Sequence, residues 1–344
     1  MGGLPTIAKS VMRRYPVSLS CFCFLALGAI SALASNTSST EEPSRQAIQS
    51  LLKSKSFQED DFQNPYLIAE SGILIPRDFV SVSKRVTTKL QQGALKARSH
   101  YPLPNTSFTN WNSSILPTAE EWKNEKEVEG LKKCDLDYCF PKLNDQEEKP
   151  TLMKSNDKLS TFKELISKRV ELFLQSRKLL GYENRKENKT AVTDLVQLHP
   201  ALGKDYGTIH QFLTKGFWES STRPPSLVGS FLRTQTLNLD PTRLQPIYWV
   251  GEVFQFHEAK SEIFVEFVVY SNHFFDAWLR VYEVIDLSQL APSKAPQTAI
   301  VINDLTEIDE LKKSALIRML FKGKMVEAIH KAQKLELESF EESP

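Results

Sequence analysis

Three runs decide how this chain folds: Tyr248-Trp-Val-Gly-Glu-Val-Phe-Gln-Phe256, Ile263-Phe-Val-Glu-Phe-Val-Val-Tyr270 and Phe274-Phe-Asp-Ala-Trp-Leu-Arg-Val-Tyr-Glu-Val-Ile285. β-Branched and aromatic side chains dominate all three, and such side chains suit a pleated, half-buried surface. Only short polar links, around His257–Lys260 and Ser271–Asn272, separate the runs. Links that short cannot carry a crossover, so the strands are expected to be consecutive antiparallel neighbours. Ala299–Ile302 predicts a fourth strand. Thr306 then predicts the cap of a final helix reaching about Leu337, with Ile308, Leu311, Leu316, Met319, Leu320, Gly323, Val326 and Ile329 as its apolar stripe. That stripe needs a sheet to lie on. The expected class is α+β: an antiparallel meander with a long C-terminal helix packed across it, preceded by a mainly helical region.

Towards the amino terminus the pattern is helical. Around Pro76-Arg77-Asp78-Phe79 an extended stretch turns into a helix predicted to run to about Arg98, with Val80, Val82, Val86, Leu90 and Leu95 as its stripe. The clearest helix spans about Ser160 to Leu180. Ser160 is its expected cap, Phe162, Leu165, Ile166 and Phe173 its core face, and Gly181 its left-handed end. Lys168, Arg169, Arg177 and Lys178 fill the other face, which reads as solvated. Shorter helices are predicted near Ala191–Gln197 and Tyr206–Lys215. Residues 61–225 thus make the helical region and 226–344 the sheet with its last helix, and the two can form one domain.

The first 34 residues read as a signal peptide. Lys9, Arg13 and Arg14 form a basic start, Val17–Leu33 is apolar or small, and Ala32-Leu33-Ala34 gives a small-x-small cleavage pattern before Ser35. A spanning helix needs about 20 mostly apolar residues. The run here is shorter and broken by serines, so cleavage is expected rather than a retained anchor. Residues 35–60, rich in Ser, Thr, Glu and Gln, read as a flexible polar tether. The expected localisation is exported, periplasmic or secreted, taking a bacterial source.

Cleavage removes three basic and no acidic residues from a chain with 43 Lys+Arg and 42 Asp+Glu, leaving a net charge of −2. That balance gives no electrostatic footprint for nucleic acid. Only 13 glycines occur in 344 residues, which argues against phosphate loops built on glycine, and no cofactor is expected. Cys134 and Cys139 are the two cysteines of the mature chain, and in an oxidising compartment a local disulfide is expected. Two thiolates with no histidine nearby do not make a zinc set, so no metal is expected.

The usual catalytic strings are missing. His257-Glu258 resembles the start of a zincin motif, but Ser261 stands where the second histidine belongs. The one concentrated polar constellation is Tyr270-Ser-Asn-His273-Phe-Phe-Asp276. Alternation puts Asp276, Trp278, Arg280 and Tyr282 on one strand face. Asp276 there could orient His273 as a general base. The competing reading is a hairpin whose polar tip, with Asp276 and Arg280, faces water.

Cys139-Phe-Pro-Lys142-Leu143, Tyr182 and Val269-Tyr270-Ser-Asn-His273-Phe-Phe275-Asp276-Ala277 together resemble a group of uncharacterised exported bacterial proteins, over roughly residues 130–335. The group implies no catalytic residue. Its C-terminal layout is similar to half of a helix-grip (START-like) domain, an analogy of fold. Three functions compete at this point. The first is binding of a lipid-like or other apolar ligand between sheet and last helix, lined by Phe264, Phe267, Leu316 and Met319. The second is a non-catalytic envelope or interaction module. The third is an extracytoplasmic hydrolase using His273 and Asp276.

Overall fold

The computed structural model describes residues 66–92, 125–134, 141–183, 189–218, 224–237, 247–272, 275–288, 297–308, 311 and 315–341. The expected signal peptide and tether, Cys139 and His273 lie outside the described residues.

Six strands form one antiparallel sheet. They are β1 (Tyr66–Ile75), β2 (Leu227–Leu237), β3 (Ile247–Glu258), β4 (Ser261–Ser271), β5 (Phe275–Asp286) and β6 (Thr298–Ile308). Their spatial order is β1-β6-β5-β4-β3-β2. The meander β2 to β6 follows chain order, and within it the short links join β3 to β4 and β4 to β5 as antiparallel neighbours. β1 comes from the helical region and closes the far edge, pairing Tyr66 with Glu307 through Ile75 with Thr298. The two regions separated in the sequence therefore share one sheet. No helix among the described residues is long and apolar enough to cross a membrane.

The helices are α1 (Phe79–Gln92), α2 (Glu125–Lys132), α3 (Glu148–Lys154), α4 (Lys158–Ser176), α5 (Lys189–Leu198), α6 (Pro200–Asp205), α7 (Gly207–Gln211) and α8 (Ala315–Glu341). A π-turn, Phe212–Gly216, extends α7. Both faces of the sheet are covered. On one, Phe264, Tyr282, Ile300 and Ile302 pack with Val82, Val86 and Leu90 of α1 and Leu337 and Phe340 of α8. On the other, Phe254, Phe267, Leu279 and Val281 pack with Phe162 and Phe173 of α4, Val192 and Val196 of α5, and Phe212 and Phe217. A sheet whose strands are apolar on both sides needs two such layers.

The final helix packs on the sheet, but it starts later and sits closer to the edge than its sequence pattern suggests. Thr306 and Ile308 belong to β6, because β6 is extended by pairing with β1 on one side and β5 on the other. α8 begins at Ala315 and lies along β1 and β6.

Helix α4 differs from expectation at both ends. Its cap is Asp157, whose side chain accepts from the Ser160 N–H, and Ser160 lies inside the first turn. It ends at Arg177, not Gly181, with Arg177 in the left-handed region at φ 57°. That conformation costs a residue with a Cβ roughly 1–2 kcal/mol. The side chain compensates. Its guanidinium pairs with the fully buried Glu252 of β3 at 2.9 Å and stacks over Phe217 at 4.6 Å. Arg169 is also not solvated, since it is buried against Glu148.

Arg177→Ala should therefore destabilise the fold by about 3–5 kcal/mol, the penalty for stranding a buried carboxylate. Lys178→Ala, one residue away on an exposed position, should change stability by less than about 0.5 kcal/mol. Urea denaturation of both variants checks the pair.

Candidate functional site

Alternation along β5 turns Trp278, Arg280 and Tyr282 towards α1 and α8, as period two requires. Arg280 donates through Nε and Nη2 to the carboxylate of Asp304 on β6, at 2.6 and 2.8 Å. Its Nη1 reaches Glu336 of α8 at 2.9 Å. Arg233 of β2 binds both oxygens of Glu266 on β4 and donates to the Tyr282 hydroxyl at 2.6 Å. The Tyr282 hydroxyl donates onward to Glu336 at 2.8 Å. Trp249 caps Glu266 at 3.0 Å, and Trp278 caps Asp304 at 2.6 Å. Gln333 of α8 donates to Asp304 and to the Ala69 carbonyl, while its own oxygen accepts from Ser71.

These groups form one cluster under α8: two guanidinium groups, three carboxylates, and Gln and Tyr as neutral links. Arg233, Glu266, Arg280 and Asp304 are at most 3% exposed. The aromatic wall beside them is tight, with Trp278 at 4.6 Å from Trp249 and 4.4 Å from Phe275. Burial pushes the Glu266 carboxyl up, but Arg233, helped by Arg280 and Trp249, outweighs it and holds the group below its ordinary range. Burial raises the Tyr282 hydroxyl far above its ordinary value. The cluster offers paired charges and a protonated phenol, and at its β1 end the Ser71 hydroxyl, which donates to Gln333, lies 3.2 Å from Nδ1 of His330. The cluster binds α8 to β2, β4, β5 and β6.

A second cluster gathers the segments that carry the resemblance. The Lys142 ammonium pairs with Asp276, and its backbone N–H donates to the Asn272 carbonyl at 2.9 Å. Ser271 N–H donates to the Tyr182 hydroxyl at 2.9 Å. The Arg169 guanidinium lies over the rings of Tyr182 and Tyr270, and it holds Glu148 through Nε at 2.5 Å and Nη2 at 2.6 Å. Burial, opposed by Arg169, pushes the Tyr182 hydroxyl up to about 12. Two cations here meet two carboxylates.

This arrangement corrects the solvated-tip reading. Asp276 and Arg280 are 4% and 3% exposed. A register shift between Phe275 and Ala277 also takes Asp276 out of line with Arg280, so the two do not share a site. The carboxylate that would orient His273 is engaged by Lys142. Phe264 and Phe267 are both fully buried but lie on opposite faces, Phe264 towards α1 and α8, and Phe267 against Phe217, Trp218 and Phe254. They cannot line one pocket. Leu316 and Met319 fall in the first turns of α8, with side chains outside the described residues. Cys134 is buried after α2. Among the described residues no three His, Cys, Asp or Glu side chains are grouped to hold a metal ion. Sequence reasoning did not single out Arg233, Glu266, Asp304 and Glu336. For Arg233, Glu266 and Asp304 the only signal was charge inside strands, Glu336 looked like one more acidic residue of a helix, and the pairs they make are 24 to 56 positions apart.

No protein-family model matches the chain, and no curated protein or solved structure matches it.

Two outcomes follow from the first cluster. A Cβ at Gly251 would fall 2.5 Å from Oε1 of Glu266 and 2.9 Å from its Cγ. Gly251→Ala should therefore cost roughly 1–3 kcal/mol by displacing Glu266 from Arg233. Glu266→Gln should cost about 3 kcal/mol at neutral pH. A carboxyl whose folded pKa is depressed stabilises the fold above its unfolded value of 4.5 and loses that contribution as pH falls through the folded value. The gap between Glu266→Gln and the parent should thus close as pH drops below 4.5. Denaturant midpoints along a pH series read both effects.

Proposed function

We propose that the mature chain is an exported, non-catalytic interaction module of the extracytoplasmic space. The observation that carries this is the filling of the space under the last helix along its described side chains, Lys322 onward. Where an apolar ligand or a catalytic group would sit, paired arginines and carboxylates are packed between tryptophans. Buried charges demand full pairing, and a pairing partner is lost to any ligand that enters. The separation of Phe264 from Phe267 across the sheet weighs the same way against a lipid pocket. The engagement of Asp276 by Lys142 weighs against a His273–Asp276 dyad. The likeness to exported proteins in the Lys142, Tyr182 and Tyr270–Ala277 segments supports the compartment, together with the basic start and Ala32-Leu33-Ala34.

The reading has a direct test. Protein purified from its native host is analysed by native mass spectrometry and assayed on simple carboxylic and phosphate esters. The expected result is no co-purifying lipid and no hydrolysis. A bound fatty acid or phospholipid, or an ester hydrolysis lost in His273→Ala, overturns it. The intact mass of the same sample should place the amino terminus at Ser35. Thiol labelling should find Cys134 and Cys139 unreactive until reduction, as a local disulfide requires. A mass that retains Arg13 and Arg14 ends the export proposal.

A further inference from the structure

Outside the clusters, one concavity has a lining of a different character. α5 and the α7–π-turn pair bury their apolar sides, Val192, Leu195 and Val196 on one and Ile209, Phe212 and Leu213 on the other. Their remaining sides face each other across an open groove of about 380 Å3. Lys189, Thr193 and Gln197 recur on α5 at steps of four, so one helix face forms the first wall. His210, Gln211, Thr214 and Lys215 form the second. The π-turn sets that wall. Its widened ring, closed by the Phe217 N–H bonding to the Phe212 carbonyl at 2.7 Å, carries Thr214 and Lys215.

Among its described lining residues the groove carries cations and no carboxylate. Every buried cation described above has a carboxylate partner. Among the described residues Lys189, His210 and Lys215 have none. Lys189 is half-buried and sits 5.8 Å over the Trp218 ring, which holds its ammonium at the groove. The carboxylate of α5, Asp194, lies within electrostatic reach of Glu307 on β6 instead, and burial and Glu307 raise its carboxyl above its ordinary range. The hydroxyls of Thr193 and Thr214 donate to carbonyls of their own helices and so face the groove as acceptors. Gln197 and Gln211 add both donors and acceptors. Two ammonium groups and an imidazole with neutral acceptors between them suit a dianion carried on a hydroxylated body. The volume is that of a small-molecule site.

We propose that this groove binds a small hydroxylated phosphate ester, with Lys189 and Lys215 on the phosphoryl group and Gln197 and Gln211 on the hydroxyls. The proposal goes beyond the interaction-module reading and stands or falls without it. The test uses the full mature chain, with glycerol 3-phosphate and inorganic phosphate as probes, and glycerol and chloride as controls at matched ionic strength. Calorimetry should show saturable binding of both phosphates, tighter for the ester, and none for the controls. Lys189→Ala combined with Lys215→Ala should weaken both by at least about tenfold, since charge-assisted bonds to phosphate carry the affinity. Should that variant misfold by circular dichroism, Gln197→Glu, on an exposed position, brings a carboxylate into the groove and should weaken binding in the same direction. No saturable binding at matched ionic strength, or equal affinity in folded variants, overturns the proposal.

Discussion

The guanidinium groups of Arg233 and Arg280, held out of water between a sheet and a helix, constrain the rest of this structure. An isolated charge there would cost several kcal/mol even after relaxation. Each arginine is therefore matched by a carboxylate in fork geometry, Glu266 for Arg233 and Asp304 for Arg280. The Arg280–Asp304 pair joins the neighbours β5 and β6, whereas the Arg233–Glu266 pair reaches across β3 from β2 to β4. Arg280 and Asp304 face each other in register across β5 and β6, and Glu266 faces Arg280 across β4 and β5. A slip of one residue would turn every one of these groups to the opposite face. Hydrophobic burial alone tolerates such errors better than paired charges do. Buried ion pairs of this kind are often no more stabilising than an apolar core of the same shape.

The same pairs explain small details that have no other cause. Position 251 is glycine because the Glu266 side chain lies against the β3 backbone there and leaves no room for a Cβ. Trp249 and Trp278 add what phenylalanine cannot: each indole N–H gives a second bond to the carboxylate oxygen that the arginine Nε already holds. Gln333 and Glu336 sit three positions apart on α8, so both reach the cluster from one helix face. The helix is thus held by directed polar bonds as well as by Met325, Ile329, Leu337 and Phe340.

How much of this was legible depended on the range of the interaction. β3, β4 and β5 were legible because their residues favour strand locally and their links are short. β1 and β2 were not. Glu70-Ser71-Gly72 interrupts the first, and Gly229, Ser230 and Arg233 dilute the second, so only pairing with β6 and β3 makes them strands. Thr306 looked like a helix cap because Ser and Thr commonly are. Tertiary pairing on both edges of β6 overrides that preference. The solvated readings of Arg169, Asp276 and Arg280 failed for a related reason. A charge in an amphipathic pattern points to water unless a distant partner comes, and Glu148, Lys142 and Asp304 are distant. The opposite placement of Phe264 and Phe267 is a different case. Their separation of three already puts them on opposite faces of any strand, so period two alone excluded a shared pocket.

A closed centre has a consequence for where function can reside. Ligand sites in layered folds usually exploit an unfilled space between layers or at a sheet end. Here the layer beneath α8 is occupied by charges that cannot be released singly, and the opposite layer is tied by Arg177–Glu252, Arg169–Glu148 and Tyr206–Glu283. Opening either layer would strand a buried carboxylate, at a cost comparable to a large share of a domain's whole stability. Recognition by small adjustments of the core is therefore disfavoured. Recognition by groups at the rim is not, because they move without disturbing any pair. The groove between α5 and the π-turn is such a rim. Its apolar residues anchor both walls in the core while its cations have no carboxylate partner among the described residues, so binding there would add pairing that those residues do not supply.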